Sequence, residues 1–273
     1  MKAKTLKLFV VVVFAAAVTL TAVLWVCLKE NGGQEVKETP SSSSAPLPTG
    51  PLGPRLTKGT ISGHSYHLFV PGSYRPDRAA PLIVSCHGTV PYDTAEFQMR
   101  EWKAQAEEHG CLVACPELAG TDGLHGGVPT DSLTQDEQFI LSVIAEISQR
   151  YRVDRQNTMI TGYAGGGLPA YFVGLRHPEV FSVVAARSCN FNGMPAADQI
   201  PPQTRNTSVL IYWQQNDPGT VVAQSKAAVD HFTSAGLNVK SIVMPGIGHE
   251  RRPEVAMKFF LDHLRPRSES GGK

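Results

Sequence analysis

The chain has 273 residues, with 25 Lys and Arg against 24 Asp and Glu, for a formal net charge of +1. A near-neutral chain with no basic block in its main portion lacks the electrostatic footprint of a nucleic-acid binder. Its five cysteines show no zinc-finger spacing and read as buried thiols, with room for one disulfide outside the cytoplasm.

Residues 1–7 carry Lys2, Lys4 and Lys7, and Leu8 to Leu28 follows without a charge. At about 1.5 Å rise per residue that run reaches roughly 30 Å, enough to cross a bilayer. It reads as a transmembrane signal-anchor helix. The positive-inside bias then puts residues 1–7 in the cytoplasm and the remainder on the periplasmic or cell-surface side. A cleaved signal peptide has a shorter apolar core and small residues at its cleavage site. Here the bulky Trp25 and Val26 fit neither that nor lipidation at Cys27. Residues 29–55 read as a disordered linker, with Ser41 to Ser44, Pro46, Pro48, Pro51 and Pro54, too poor in apolar surface to offset ordering entropy. Residues 267–273 read as a similar tail. Residues 56–266 remain as one domain with a sizeable core.

Within it, Thr60 to Val70 reads as an edge strand and Pro81 to Cys86 as a buried one. A helix over Phe97 to His109 and a strand over Cys111 to Cys115 follow. Those two cysteines, about 13 Å apart at strand rise, cannot bond each other. Thr134-Gln135-Asp136-Glu137 has the form of a capping box, opening a helix with Phe139, Ile140, Val143, Ile144 and Ile147 on one face. Then come a strand over 157–161, a glycine-rich bend, a helix to Arg176, and strands over Phe181 to Ala186 and Ser208 to Trp213. A helix over about Val222–Ala235, a strand over Val239 to Met244 and a helix over about Pro253–Leu264 complete the order. Such alternation argues an α/β fold, a mostly parallel sheet with helices on both faces, whose chemistry gathers at the carboxyl ends of the strands.

The bend is Gly162-Tyr163-Ala164-Gly165-Gly166. Between a strand and a helix this is the setting of a nucleophile elbow, G-x-S-x-G, with alanine where serine belongs. In that fold the chain order is nucleophile, acid, histidine. Asp217 and His249 each follow a predicted strand in that order, placed to fix an imidazole tautomer and stabilise its charge. The oxyanion donors fall to the backbone of Thr89, in Cys86-His87-Gly88-Thr89, and of Gly165. Tyr163 should point away from the site, by strand alternation. Pro169 would break a hydrogen bond in the second turn of a helix begun at Gly165.

Together, "PLIVSCHGT", "VDRQNTMITGYAGGG", "HPEVFSVVAA", "SVLIYWQQNDP" and "GIGHE" resemble, in order, the polyhydroxybutyrate depolymerase and feruloyl-esterase-like branch of the α/β-hydrolases. The resemblance covers roughly Leu56 to Leu264 and implies an esterase fold for polyester or aryl-ester substrates. The family pattern at the elbow is Gly-x-Ser-Asn-Gly-Gly. Both characteristic side chains are absent here, which favours a naturally drifted site.

Two functions follow. One is a membrane-anchored pseudoenzyme or severely impaired hydrolase that binds an ester, glycan or protein partner. The other is a carboxylic-ester hydrolase with a non-serine mechanism, using a His249-activated water or a relocated nucleophile such as Cys189 or Ser188. No cofactor or metal is expected. Gly162-x-x-Gly165-x-Gly167 matches neither phosphate-binding fingerprint, and the nine histidines are scattered without H-E-x-x-H.

Overall fold

A computed structural model describes residues 53–123, 128–246 and 248–266. The expected membrane span, residues 1–52 in general and the 267–273 tail lie outside the described residues. Among those described, no helix is long and apolar enough to cross a membrane.

Eight strands form one sheet in the order β1-β2-β4-β3-β5-β6-β7-β8. They are β1 (Arg55–Ile61), β2 (His64–Val70), β3 (Ala80–Cys86), β4 (Leu112–Pro116), β5 (Val153–Tyr163), β6 (Val183–Arg187), β7 (Ser208–Gln214) and β8 (Val239–Met244). β2 pairs antiparallel with β1 and with β4, and every other pairing is parallel. The helices are α1 (Ala95–His109), α2 (Thr130–Arg150), α3 (Gly167–Gly174), α4 (Gly219–Ser234) and α5 (Pro253–Asp262).

Every residue of β3, β4 and β6 is buried, as befits parallel strands covered on both faces. Alternate side chains divide the core in two. Leu82, Val84, Ile160 and Val184 meet Ile140 and Val143 of α2, Phe172 of α3 and Phe232 of α4. Ile83, Val113, Met159 and Leu210 meet Met99 and Trp102 of α1 and Phe260 of α5.

Three local expectations are corrected. The edge strand expected over Thr60 to Val70 is the second half of a hairpin whose first strand opens at Arg55, the last residue assigned to the linker. Ser62 (φ 50°) and Gly63 (φ 86°) supply the left-handed pair of a type I′ turn, so β1 is the edge and β2 is interior. The capping box at Thr134 is not used. α2 already runs from Thr130, and the Thr134 hydroxyl donates to Thr130 O inside it. Asp136 instead accepts the N–H groups of Ala119 and Gly120, and Glu137 pairs with Arg176 and His177. Pro169 is not disruptive. A short 3₁₀ turn over Ala164–Gly166 intervenes and α3 begins at Gly167, which puts the proline in the first helical turn, where no intrahelical N–H bond is required.

The register aligns the carboxyl ends: Cys86 lies beside Gly162, Tyr163 beside Arg187, Arg187 beside Tyr212, and Gln214 beside Met244. Thr89, Ala164, Ser188, Asp217 and His249 therefore leave the sheet along one rim.

Candidate active site

The bend after β5 is tight because its glycines touch backbone. A Cβ on Gly162 would lie 2.1 Å from Gly166 O, and one on Gly166 would lie 2.3 Å from Cys86 O. Ala164, between them, adopts φ 49°. That left-handed conformation is strained for a residue with a Cβ, and it turns the chain sharply from strand to helix. The side chain carried by this turn is a methyl group.

Ala164 and His249 line the same cavity, of about 740 Å³, together with Thr89, Tyr163, Asn190 and Arg251. His249 Nδ1 lies 2.6 Å from Asp217 Oδ1. The other carboxylate oxygen of Asp217 accepts the Ser188 hydroxyl at 2.8 Å and the Gln214 N–H at 2.6 Å. Burial alone would raise the Asp217 carboxyl, but these three hydrogen bonds outweigh it and hold the group below the usual carboxylate range. An ionised carboxylate at Nδ1 fixes the ring proton there and leaves the Nε2 lone pair to the cavity, the disposition of a general base.

Four successive carbonyls of the histidine loop are held by side chains from the sheet. Tyr163 Oη donates to His249 O at 2.9 Å and Gln214 Nε2 to Glu250 O at 2.7 Å. Arg187 Nη1 donates to Arg251 O at 3.0 Å, and Tyr212 Oη donates to both Arg251 O and Arg252 O. Arg187 is fully buried. It pairs with Glu101, donates to Gln98 Oε1 at 2.6 Å and to Thr161 Oγ1 at 3.1 Å, and lies over the Trp102 ring. Arg251 in turn pairs with Asp93 at 2.6 Å, and Asp93 accepts the Gly88 N–H at 2.7 Å.

The expected oxyanion residues are adjacent. Thr89 Oγ1 donates to Thr121 O at 2.9 Å and accepts the Gly123 N–H at 3.1 Å, and a Cβ on Gly165 would lie 2.8 Å from that hydroxyl. His87 is a structural histidine. Its Nδ1 bonds Gly88 O and its Nε2 accepts the Leu118 N–H, and burial lowers its pKa.

One expectation about a side chain fails, and one alternative is closed. Tyr163 does not point away. Strand alternation ends at the left-handed Ala164, the His249 loop folds across the phenol, and the two rings stack with centroids 4.7 Å apart. Cys189 is no relocated nucleophile. It is fully buried, its thiol donates to Gly162 O at 3.1 Å, and burial pushes its pKa up to about 12. Ser188 is likewise committed, since its buried hydroxyl serves Asp217. Cys86, Cys115 and Cys189 are free thiols, and the Cys111 thiol donates to His109 O at 3.7 Å. Among the described residues no cluster of His, Cys, Asp and Glu could hold a metal ion.

Sequence reasoning missed Tyr163 and Arg187 as supports of the histidine. The one signal was a polar pair, Gln98 and Glu101, set beside Met99 and Trp102 on the inward face of α1.

No family model matches the chain, and no curated protein does. Solved structures do. A ferulic acid esterase from Anaeromyces mucronatus, in complex with ferulic acid, superposes with TM-score 0.61 at 14% identity, over 77% of this chain and 89% of that one. S-formylglutathione hydrolase from Staphylococcus aureus gives 0.58 at 12% identity, over 78% and 98%. A fluorophosphonate-binding serine hydrolase from Staphylococcus aureus gives 0.59 at 14%, over 80% and 100%. The likeness is one of fold, shared with these esterases and hydrolases.

Proposed function

We propose that the domain is an α/β-hydrolase of the polyhydroxybutyrate-depolymerase and feruloyl-esterase-like kind that has lost turnover and kept its pocket. It binds an ester, glycan or protein partner there, on the extracytoplasmic side of a membrane in which residues 8–28 are anchored. The observation that carries this reading is the Asp217–His249 pair, held at 2.6 Å on the same cavity as the Ala164 methyl. In that role Asp217 orients the imidazole, Thr89 and Gly165 offer backbone N–H groups to an oxyanion, and no side chain attacks.

Losing the serine of such a triad costs about 10⁶ in kcat. A water activated by His249 would recover about 10²–10⁴. The open Nε2 is the observation that favours this second reading. The full-length chain in detergent is assayed with short-chain p-nitrophenyl and feruloyl esters. The unaltered protein should match buffer, and Ala164→Ser should raise turnover at least about 10²-fold. Turnover by the unaltered chain that vanishes in His249→Ala would establish the water mechanism instead. A folded but silent Ala164→Ser would mean that the oxyanion side has decayed as well.

A further inference from the structure

Resting on that reading, we propose that the ligand end held beside Ala164 is a free carboxylate, and that His249 takes up one proton from solvent as the acid binds.

The charges around the site require the proton. Arg187 and Arg251 are matched by Glu101 and Asp93 in one connected group. Asp217 then leaves the site negative while His249 is neutral. A carboxylate entering alone meets net repulsion. A carboxylate entering with a proton on Nε2 meets an imidazolium whose other nitrogen is already bonded to Asp217.

The hydrogen-bonding capacity points the same way. Nδ1 is committed to Asp217, and among the described residues nothing bonds Nε2. In a chain with serine at 164 the hydroxyl would occupy that nitrogen. Here one carboxylate oxygen accepts from Nε2–H while the second turns toward the backbone of Thr89 and Gly165. An ester offers no anionic oxygen to an imidazolium and gains only neutral-acceptor bonds. Beyond the reacting end the cavity is walled by Leu168, Phe191, Val221 and Tyr92, which suits an apolar or aryl tail.

Several groups face the imidazole. The Tyr163 phenol of β5 stacks on it, and burial raises that hydroxyl further from ionising. Asp217 comes from the β7–α4 loop, and Asp122, in the segment after β4, lines the same cavity. Asp93, after β3, reaches the site through Arg251, and Glu250 of the same loop is taken by Arg252.

Calorimetry on the full-length chain in detergent tests the proposal, with acetate, butyrate, octanoate, benzoate and 3-phenylpropionate, each beside its methyl ester. At least one acid should bind about tenfold or more tightly than its ester. Its enthalpy should vary with the buffer's ionisation enthalpy by close to one proton taken up per ligand. In the unaltered protein, at a fixed pH at which the free ring is neutral, acid should move the His249 imidazole NMR signal to its protonated position. His249→Gln should lose both the uptake and about tenfold in affinity. Binding of none of the acids, equal binding of the esters, or binding without proton uptake would each overturn it. Release of acid from the esters, followed by chromatography in the same samples, would instead overturn the loss of turnover on which the proposal rests.

Discussion

Asp136→Asn should destabilise the domain at acid pH and lose that disadvantage as pH rises through about 6. Asp136 lies in α2 and is 4% exposed. It accepts the N–H groups of Ala119 and Gly120 at 2.9 and 2.7 Å, and so holds the segment whose Thr121 and Gly123 bracket Thr89. Burial raises its pKa from 3.8 to about 6, against the pull of those two N–H groups and of nearby His64. The folded state thus binds this proton more tightly than the unfolded one. Stability from the protonated acid is complete below pH 3.8 and is lost as pH rises through 6. About two pKa units at 1.36 kcal/mol each give a loss of about 3 kcal/mol. Asparagine never ionises and escapes that loss. It offers one acceptor oxygen in place of two, however, and leaves an N–H facing an amide NH₂, at about 1–3 kcal/mol. At pH 4 the unaltered chain should therefore be more stable by about 1–3 kcal/mol. At pH 7.5 the two should be level, or the variant ahead by up to about 2 kcal/mol. Urea unfolding of both proteins at the two pH values measures this, and titrations shared by both cancel in the difference. A stability difference that stays constant with pH, or moves the other way, would refute the assignment of a raised pKa to a buried, N–H-bonded carboxyl.

Arg187→Met leaves buried Glu101 only its 3.5 Å contact with Arg251 and should cost about 3–5 kcal/mol in denaturant unfolding, while Arg187→Met with Glu101→Leu should recover most of it; equal losses would show that the ion pair is not the anchor. Gly165→Ala places a methyl 1.9 Å from Thr121 O, so a loss of about 1–3 kcal/mol and a lower Tm are expected, and an unchanged melt would contradict the packing of the elbow. The gain of esterase turnover in Ala164→Ser remains the direct check on the site itself.

The fold was largely legible because its signals are local. Short β-branched runs such as Pro81 to Cys86 and Val239 to Met244, with helical stripes between them, give the order of a parallel sheet. Asp217 and His249 were singled out because a fixed chain order places each after a particular strand, and the structure brings them within 2.6 Å of each other. The supports of the histidine could not. Arg187 ends an apolar strand and looks like a rim charge, yet its partner Glu101 lies 86 residues earlier, on a helix across the sheet face. Tyr163 obeys strand alternation only until the chain turns left-handed one residue later. The Ser62-Gly63 turn was written in the chain, but alternation on both sides made it read as one strand.

The clamp on carbonyls 249 to 252 bears on how the chain meets proteases. Arg251-Arg252 is a dibasic pair followed by Pro253, which leaves the Arg251–Arg252 bond as the one a trypsin-like enzyme could cut. Those enzymes need several residues pulled straight into their cleft. Here Tyr212 and Arg187 grip the carbonyl of that peptide bond and the one after it from within the sheet. Cleavage must wait for the sheet itself to open, so the segment that carries the imidazole is shielded by the strands that position it.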